Sequence, residues 1–433
     1  MNSISSSSLK RSRVLYILEA ALEYLISILV SGSFLATLTK ELGLSDSLTG
    51  ILSSIISLGC IFQLLSLSVR RTRVKGLVVT LSIINQLLFM LLYVIPFVSL
   101  GQEIKTALFV ILIFSAYLIF NFAFPKKMTW LMSLVEDKKR GSFTANKEIF
   151  SLISGMVFSF AMGSLIDHFS ESGQVRIAFS LSALVIFILM VLHSLTMIFS
   201  VEKEIPQGKS ANPIRAFAEL ARDKRIRRVT AVFILYFISN YMSTPFYGTY
   251  QIGELNLGLS FISVIAMCGS VSRIFVSKFW GKYADKRSFA EMVEKCLIIL
   301  ALAKICVVFA TPKIGQIMFA LYYIFHGIAL GGINSALTNL VFDYAPPEKR
   351  ADALAITQAS AGLAGFLTTL CISPLVAFIQ NSGNRLLGIP IYAQQFVSLL
   401  ALFITAATIL FIRKAFINKN KNKGDGKNGD LEI

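Results

Sequence analysis

Stretches of roughly twenty consecutive apolar residues recur from one end of the 433-residue chain to the other, and this feature narrows the possible folds most. At about 1.5 Å of rise per residue, each stretch crosses about 30 Å of hydrocarbon. Inside hydrocarbon every backbone N–H and C=O must find its partner within the protein, which for such segments selects helices. Hydrophobic residues make up 55% of the chain and charged residues only 15%, where a soluble protein carries about a quarter. The mean hydropathy is +0.70. The expectation is an all-α membrane protein with many spans.

The apolar pattern predicts twelve helices, at about 14–39, 46–69, 75–98, 105–135, 141–168, 175–200, 227–252, 258–282, 290–311, 314–343, 350–380 and 390–415. A net charge of +17 is compatible with a nucleic-acid partner, but its placement points elsewhere. Most of the 41 Lys and Arg fall in one set of alternate connections, such as Arg70-Arg71-Thr72-Arg73-Val74-Lys75. That asymmetry is the positive-inside pattern, and it predicts both termini in the cytoplasm. The basic surface then faces anionic headgroups of the lipid bilayer, with no nucleic acid as partner. The exceptions, Lys126, Lys127, Lys147, Arg273, Lys295 and Lys304, fall within or at the edges of spans.

Five cysteines (Cys60, Cys268, Cys296, Cys306, Cys371) lie in apolar stretches without paired spacing, so neither a disulfide nor a metal site is expected. Lys10-Arg11-Ser12-Arg13 resembles the charged start of a signal peptide. The apolar run behind it holds two glutamates and no small-x-small cleavage site, so it reads as an uncleaved first span. Between Val201 and Arg227 lies a longer connection. Asn212-Pro213 there resembles a helix start, and residues 214–221 are amphipathic, as in a helix lying on the membrane surface. The predicted organisation is a cytoplasmic N-terminus (1–13), a six-helix bundle (14–200), a cytoplasmic linker (201–226), a second six-helix bundle (227–415) and a disordered tail (416–433).

A weak internal repeat supports that division. Val135-Glu-Asp-Lys-Lys-Arg140 precedes the fifth predicted helix and Ala345-Pro-Pro-Glu-Lys-Arg350 the eleventh. At this offset of 210 residues Arg140 aligns with Arg350 and Gly155 with Gly365. Repeated halves favour two pseudo-symmetric bundles around a midplane site.

Trp280-Gly-Lys-Tyr-Ala-Asp-Lys-Arg-Ser288, between the eighth and ninth helices, resembles the G-x-x-[AS]-D-[RK]-x-[GS] signature of the major facilitator superfamily. With twelve spans, a six-plus-six division and a basic central connection, the resemblance covers the whole chain. It implies that Gly281 makes a tight turn and that Asp285, followed by Lys286, latches onto the start of the fifth helix near Arg140. The equivalent first-half loop, residues 67–75, has neither Gly nor Asp, and Asp352 beside Arg350 is the candidate substitute. The fifth helix also lacks the G-x-x-x-G-P motif of drug/proton antiporters, having Gly155 and Gly163 without the proline.

The resemblance further implies a central cavity lined by helices one, four, seven and ten. Six charges interrupt the first-half spans: Glu19, Glu23, Lys126, Lys127, Lys147 and Glu148. Intramembrane charges of this kind usually face a polar interior or one another. Glu19, Glu23, Ser27 and Ser31 follow at successive i+4 steps and form one stripe. Lys126 and Lys127 point about 100° apart on a helix, and the polar neighbours Ser115, Thr129 and Ser133 favour Lys126 as the cavity residue. Between Lys147 and Glu148 the sequence does not choose. The charges suit binding of a charged solute, carriage of a coupling proton, or a structural ion-pair network. In the second half, Tyr236, Asn240, Tyr247 and Gln251 share a face that Pro245 is expected to kink. His326 and Asn334 are central in the tenth helix, and Arg273 sits in the eighth. His193 and Lys304 lie in helices expected to face lipid, and read as packed and snorkelling.

The functional expectation is secondary active transport of a small polar or charged solute, proton-coupled, by a monomer in the cytoplasmic membrane of a bacterium. No G-x-x-x-x-G-K-[ST] loop occurs, and no enzyme or cofactor motif is recognisable. Efflux of amphiphilic drugs is the alternative within transport, and a sensor or assembly protein is the alternative outside it.

Overall fold

A computed structural model describes residues 5–66, 73–136, 140–203, 222–345, 350–386 and 388–418. The helices are α1 (Ser6–Leu29), α2 (Gly32–Glu41), α3 (Asp46–Leu58), α4 (Cys60–Ser66), α5 (Lys75–Leu92), α6 (Gln102–Ser133), α7 (Arg140–Glu171) and α8 (Val175–Ile198). They continue with α9 (Lys224–Tyr241), the short α10 (Tyr247–Thr249), α11 (Leu259–Lys286), α12 (Phe289–Val308), α13 (Gly315–Tyr344), α14 (Arg350–Asn381) and α15 (Ala393–Ile412). A two-residue hairpin, β1 (Arg385–Leu386) with β2 (Ile389–Pro390), joins the last two.

Among the described residues these helices group into twelve spans. Ten segments are long and apolar enough to cross a membrane, and α1 with α2, bent by 41°, forms another. The remaining span is α12, whose 20 residues are long enough although Glu291, Glu294, Lys295 and Lys304 dilute its apolar character. Large apolar side chains such as Val157, Phe275, Ile317, Phe403 and Leu410 are exposed, as lipid-facing surfaces require.

Local chemistry sets the ends of these helices. Ser5 accepts the Ser8 N–H at the start of α1, and Ser45 accepts the Leu48 N–H at the start of α3, beside the favourable first-turn charge of Asp46. α11 continues to Lys286, and Ser288 immediately caps α12 by accepting the Glu291 N–H. The tight turn expected at Gly281 is therefore absent. Lys282, Tyr283 and Ala284 extend the helix, and the reversal falls on Arg287 and Ser288. The expected surface helix at 214–221 lies outside the described residues, as does the tail beyond Asn418.

The chain divides into two compact units, Met1–Ser210 with Pro245–Val264, and Ala211–Thr244 with Ile265–Ile433. In the first unit α1 packs on α7 and α8, and α5 on α6 and α8. A core of Tyr16, Val78, Trp130, Leu131, Leu134 and Met197 closes one end, where the Trp130 indole donates to the Val201 carbonyl at 3.0 Å. Glu202 accepts the Val74 and Lys75 N–H groups at 2.5 and 2.7 Å, capping α5. In return the Lys75 ammonium donates to the Ile198 and Ser200 carbonyls at the end of α8. At the opposite end Asp167 of α7 accepts the Leu259 and Ser260 N–H groups at 2.9 and 2.8 Å, which caps α11.

In the second unit α9 packs on α14 and α15, and α12 on α13 and α15. Its core gathers Trp280, Met292, Val293, Leu297, Ile333 and Leu337. Two glycines of the repeat play matching parts. A side chain at Gly155 of α7 would meet Tyr24 and Ile28 of α1, and one at Gly365 of α14 would meet Tyr241 and Phe237 of α9. In each unit a missing side chain lets two helices approach closely.

Among the described residues two spans are broken, α1–α2 within the first unit and α9–α10 at the division between the units, and each break leaves carbonyls without an intrahelical donor. Between α1 and α2, Tyr93 donates to the Leu29 carbonyl at 2.6 Å and Tyr117 to the Val30 carbonyl at 3.3 Å. At the end of α9, Pro245 has no N–H to offer the Tyr241 carbonyl, which accepts from Thr369 at 2.7 Å instead. Pro245 falls where a kink is expected, in a short 3-10 turn, Thr244–Phe246, that follows the end of α9 at Tyr241.

Candidate functional site

Helix geometry places Tyr16, Glu19 and Glu23 on successive turns of α1, where they meet side chains from three other helices. The Lys127 ammonium of α6 donates to Glu19 at 2.9 Å and also pairs with Glu23. On the far side of Glu19, the His193 Nε2 of α8 lies 3.1 Å from the same carboxylate oxygen. His193 Nδ1 lies 2.9 Å from Gln86 Nε2 of α5. The network thus runs Gln86, His193, Glu19, Lys127, Glu23. Glu19, Lys127, His193 and Gln86 are all at most 4% exposed, whereas the Glu23 side chain is 25% exposed.

The donor inventory ties the proton positions to one another. An ionised Glu19 only accepts, so His193 donates through Nε2–H, and a neutral imidazole then accepts the Gln86 amide at Nδ1. In this arrangement Gln86 Oε1 is buried without a hydrogen-bond partner. Tyr16 packs under the network, with the half-buried Lys147 ammonium of α7 5.1 Å from its ring centre. Glu19, Glu23 and His193 bring three potential ligand atoms within 4.8 Å of one another, a grouping able to hold a metal ion. Lys127 supplies the cation to both carboxylates of that group.

Several expectations change. The pairing of Glu23 falls on Lys127, where the sequence favoured Lys126. The side chain on the apolar face of α6 enters the bundle interior, and that is where the acids lie. Glu19, expected to line a cavity, is enclosed between helices. His193, expected merely to pack, is the second partner of Glu19. Its buried stripe, Ser182, Ile186, Leu189, His193 and Met197, carries polar residues at helical spacing, a signal legible in the sequence. The Ser27 and Ser31 hydroxyls turn back to carbonyls of their own helix at 2.7 Å. Lys126 and Glu148 are both half-buried.

The predicted second-half residues scatter between the units. Tyr247 and Gln251 are buried in the first, where Gln251 accepts from Ser33 at 2.8 Å. In the second, Tyr236 is buried, Asn240 and Arg273 are half-buried and Asn334 is exposed. His326 stacks on Tyr322 with ring centres 5.2 Å apart. Lys304, expected to snorkel, is 5% exposed and donates to the Ser239 carbonyl. Of the predicted gate residues, Gly281 and Lys286 lie on the exposed end of α11, while the side chains of Arg140, Asp285, Arg350 and Asp352 lie outside the described residues.

Comparison with known proteins places this arrangement. A family profile described as Major Facilitator Superfamily matches residues 18–369. The chain belongs to the major facilitator superfamily. Among solved structures, the nucleoside transporter NupG is similar over 96% of this chain and 99% of its own, with 16% identity and a TM-score of 0.66. A D-xylose-proton symporter matches over 93% and 96%, with 13% identity and a TM-score of 0.67. A POT family transporter in complex with 5-aminolevulinic acid matches over 94% and 96%, with 13% identity and a TM-score of 0.64. At these identities the likeness establishes the superfamily fold alone. No curated protein matches the sequence. The chain is thus a major facilitator superfamily member and an integral membrane protein.

Proposed function

We propose that the protein is a secondary active transporter that moves a small polar solute by alternating access, with a proton as the coupling ion. The observation carrying the reading is the Glu19–Lys127–Glu23 network, buried except at Glu23. Two carboxylates share one ammonium, which leaves a single net negative charge that one proton neutralises, so the network is well suited to exchanging one proton. A proton arriving at the accessible Glu23 neutralises it and frees Lys127 to serve Glu19 alone. Leaving restores the shared pair. The D-xylose-proton symporter and the nucleoside transporter among the similar structures favour a polar solute rich in hydroxyl groups.

The same reading assigns the two halves to six-helix bundles joined by a cytoplasmic linker. It puts both termini in the cytoplasm of a bacterial cell, as the Lys and Arg asymmetry supports. Asp285 and Arg140 remain the proposed latch, with Arg350 the repeat counterpart of Arg140 and Asp352 the candidate substitute for the acid that residues 67–75 lack.

Nucleosides, pentoses, hexoses and dipeptides, screened for thermal stabilisation of the purified protein, supply the solute. In proteoliposomes loaded with it, Glu23→Gln abolishes uptake driven by a pH gradient and spares solute exchange. Proton-driven uptake at the parent rate in Glu23→Gln refutes the coupling role.

A further inference from the structure

Lys304 is the buried cation that the network above does not use. It sits in the interior of α12, and among the described residues no carboxylate pairs with it. Burying a lone ammonium is costly unless other groups replace its water. Here those groups are the end of a broken helix. The Lys304 ammonium donates to the Ser239 carbonyl at 3.0 Å and approaches the Ser243 hydroxyl at 3.4 Å. The Ser239 carbonyl is available because the Ser243 N–H, its ordinary helical partner, turns to Asn240 at 3.3 Å. The last turn of α9 also presents the negative end of the helix dipole, which favours a cation.

The first unit shows that such a break does not itself require a charge. Leu29 lies 210 residues before Ser239, the spacing of the sequence repeat, and its carbonyl occupies the matching place at the end of α1. A neutral hydroxyl, that of Tyr93, satisfies it at 2.6 Å. The positive charge in the second unit is therefore an addition to what hydrogen bonding demands. It sits where oxygen ligands and the helix dipole converge.

We propose that the break at the end of α9 is a monovalent-cation site, built from the Ser239 carbonyl and the Ser243 hydroxyl, whose occupant is the tethered ammonium of Lys304. The chemical class it accepts is a primary ammonium ion. The cation holds the interrupted last turn of α9 and so positions Asn240 and Tyr241.

Purified protein in detergent tests this without any transported solute, so failure of the transport reading leaves the test intact. Lys304→Ala removes all of the side chain beyond Cβ, which n-propylammonium replaces atom for atom. Lys304→Ala is expected to unfold several degrees below the parent, and n-propylammonium chloride to restore most of the loss. n-Propanol, of the same shape without the charge, is expected to restore little. Equal rescue by n-propanol overturns the proposal, as does absence of rescue by n-propylammonium. Lys304→Met keeps the volume, and remains decisive if Lys304→Ala does not fold. Its amide exchange over residues 239–244 is expected to rise about tenfold, the effect of losing one charged hydrogen bond. Parent-like exchange in Lys304→Met overturns the proposal.

Discussion

Among the described residues each unit buries one lysine, and the two are held by different means. Lys127 sits between two carboxylates, with a histidine and a glutamine behind them. Lys304 rests on a main-chain carbonyl and a hydroxyl at a helix break. In the first arrangement the cation's partners are ionisable and can change charge. In the second they cannot, so the cation stays matched whatever protons do elsewhere. On the two proposals above, the difference separates a unit that exchanges a proton from a unit that holds a helix break. Burial of a charge alone therefore does not indicate its role; the nature of the partner does.

The largest effect that would break this contrast is expected at Lys127. Lys127→Met leaves Glu19 and Glu23 close together without their cation, which should cost about 3–5 kcal/mol of stability. Adding Glu19→Gln should recover much of the loss, as thermal or denaturant unfolding of the single and double variants will show. A single variant as stable as the parent would mean that the network is already satisfied without its lysine.

A smaller effect sharpens the comparison between the two halves of the repeat. Gly155→Ala pushes against the exposed Tyr24, which has room to turn. Gly365→Ala pushes against Tyr241, whose ring would lie 2.8 Å from the new Cβ and is stacked on Phe237. Overpacking of this kind costs about 1–3 kcal/mol, and Gly365→Ala should fall at the upper end and Gly155→Ala below it. The reverse order would show that the two helix pairs are not packed alike. The smallest effect is expected for Tyr93→Phe, which removes one neutral hydrogen bond at the α1 break and should cost about 1 kcal/mol. It should destabilise less than Lys304→Met, and an equal loss would erase the distinction between the two breaks.

Much of this fold is legible in the sequence because hydrocarbon allows so few solutions. Twelve apolar stretches, a helix break beside Pro245 and the alignment of Gly155 with Gly365 all correspond to features of the structure. The partners of the charges were harder to read, for a physical reason. Expecting a cavity, one looks for polar neighbours, and these favoured Lys126. Lys127 instead lies among Phe120, Leu131 and Leu134, because a buried ion pair needs only its counter-charge and otherwise apolar packing. The place of their helices in the fold marks His193 and Lys304 as lipid-side residues, but says nothing about the one face of each helix that turns inward. The turn at Gly281 failed because a motif records spacing, while helix propensity and the Ser288 cap decide where the helix stops.

The unpaired oxygen of Gln86 has a consequence of its own. An amide presents a donor on one side and an acceptor on the other, and half a rotation about its last bond exchanges them. With the donor toward His193, the ring nitrogen it meets is bare and the amide oxygen has no partner. With the oxygen toward it, the buried acceptor gains a partner only if that ring nitrogen carries the proton. The orientation of one uncharged side chain is thus tied to where its neighbour carries its proton, and Gln86 becomes an optical reporter for the interior of the first unit. Isotope-edited infrared spectra should show a Gln carbonyl band at the position of an unbonded amide that Gln86→Leu removes, and a spectrum unchanged by Gln86→Leu in that region would mean that the oxygen has a partner.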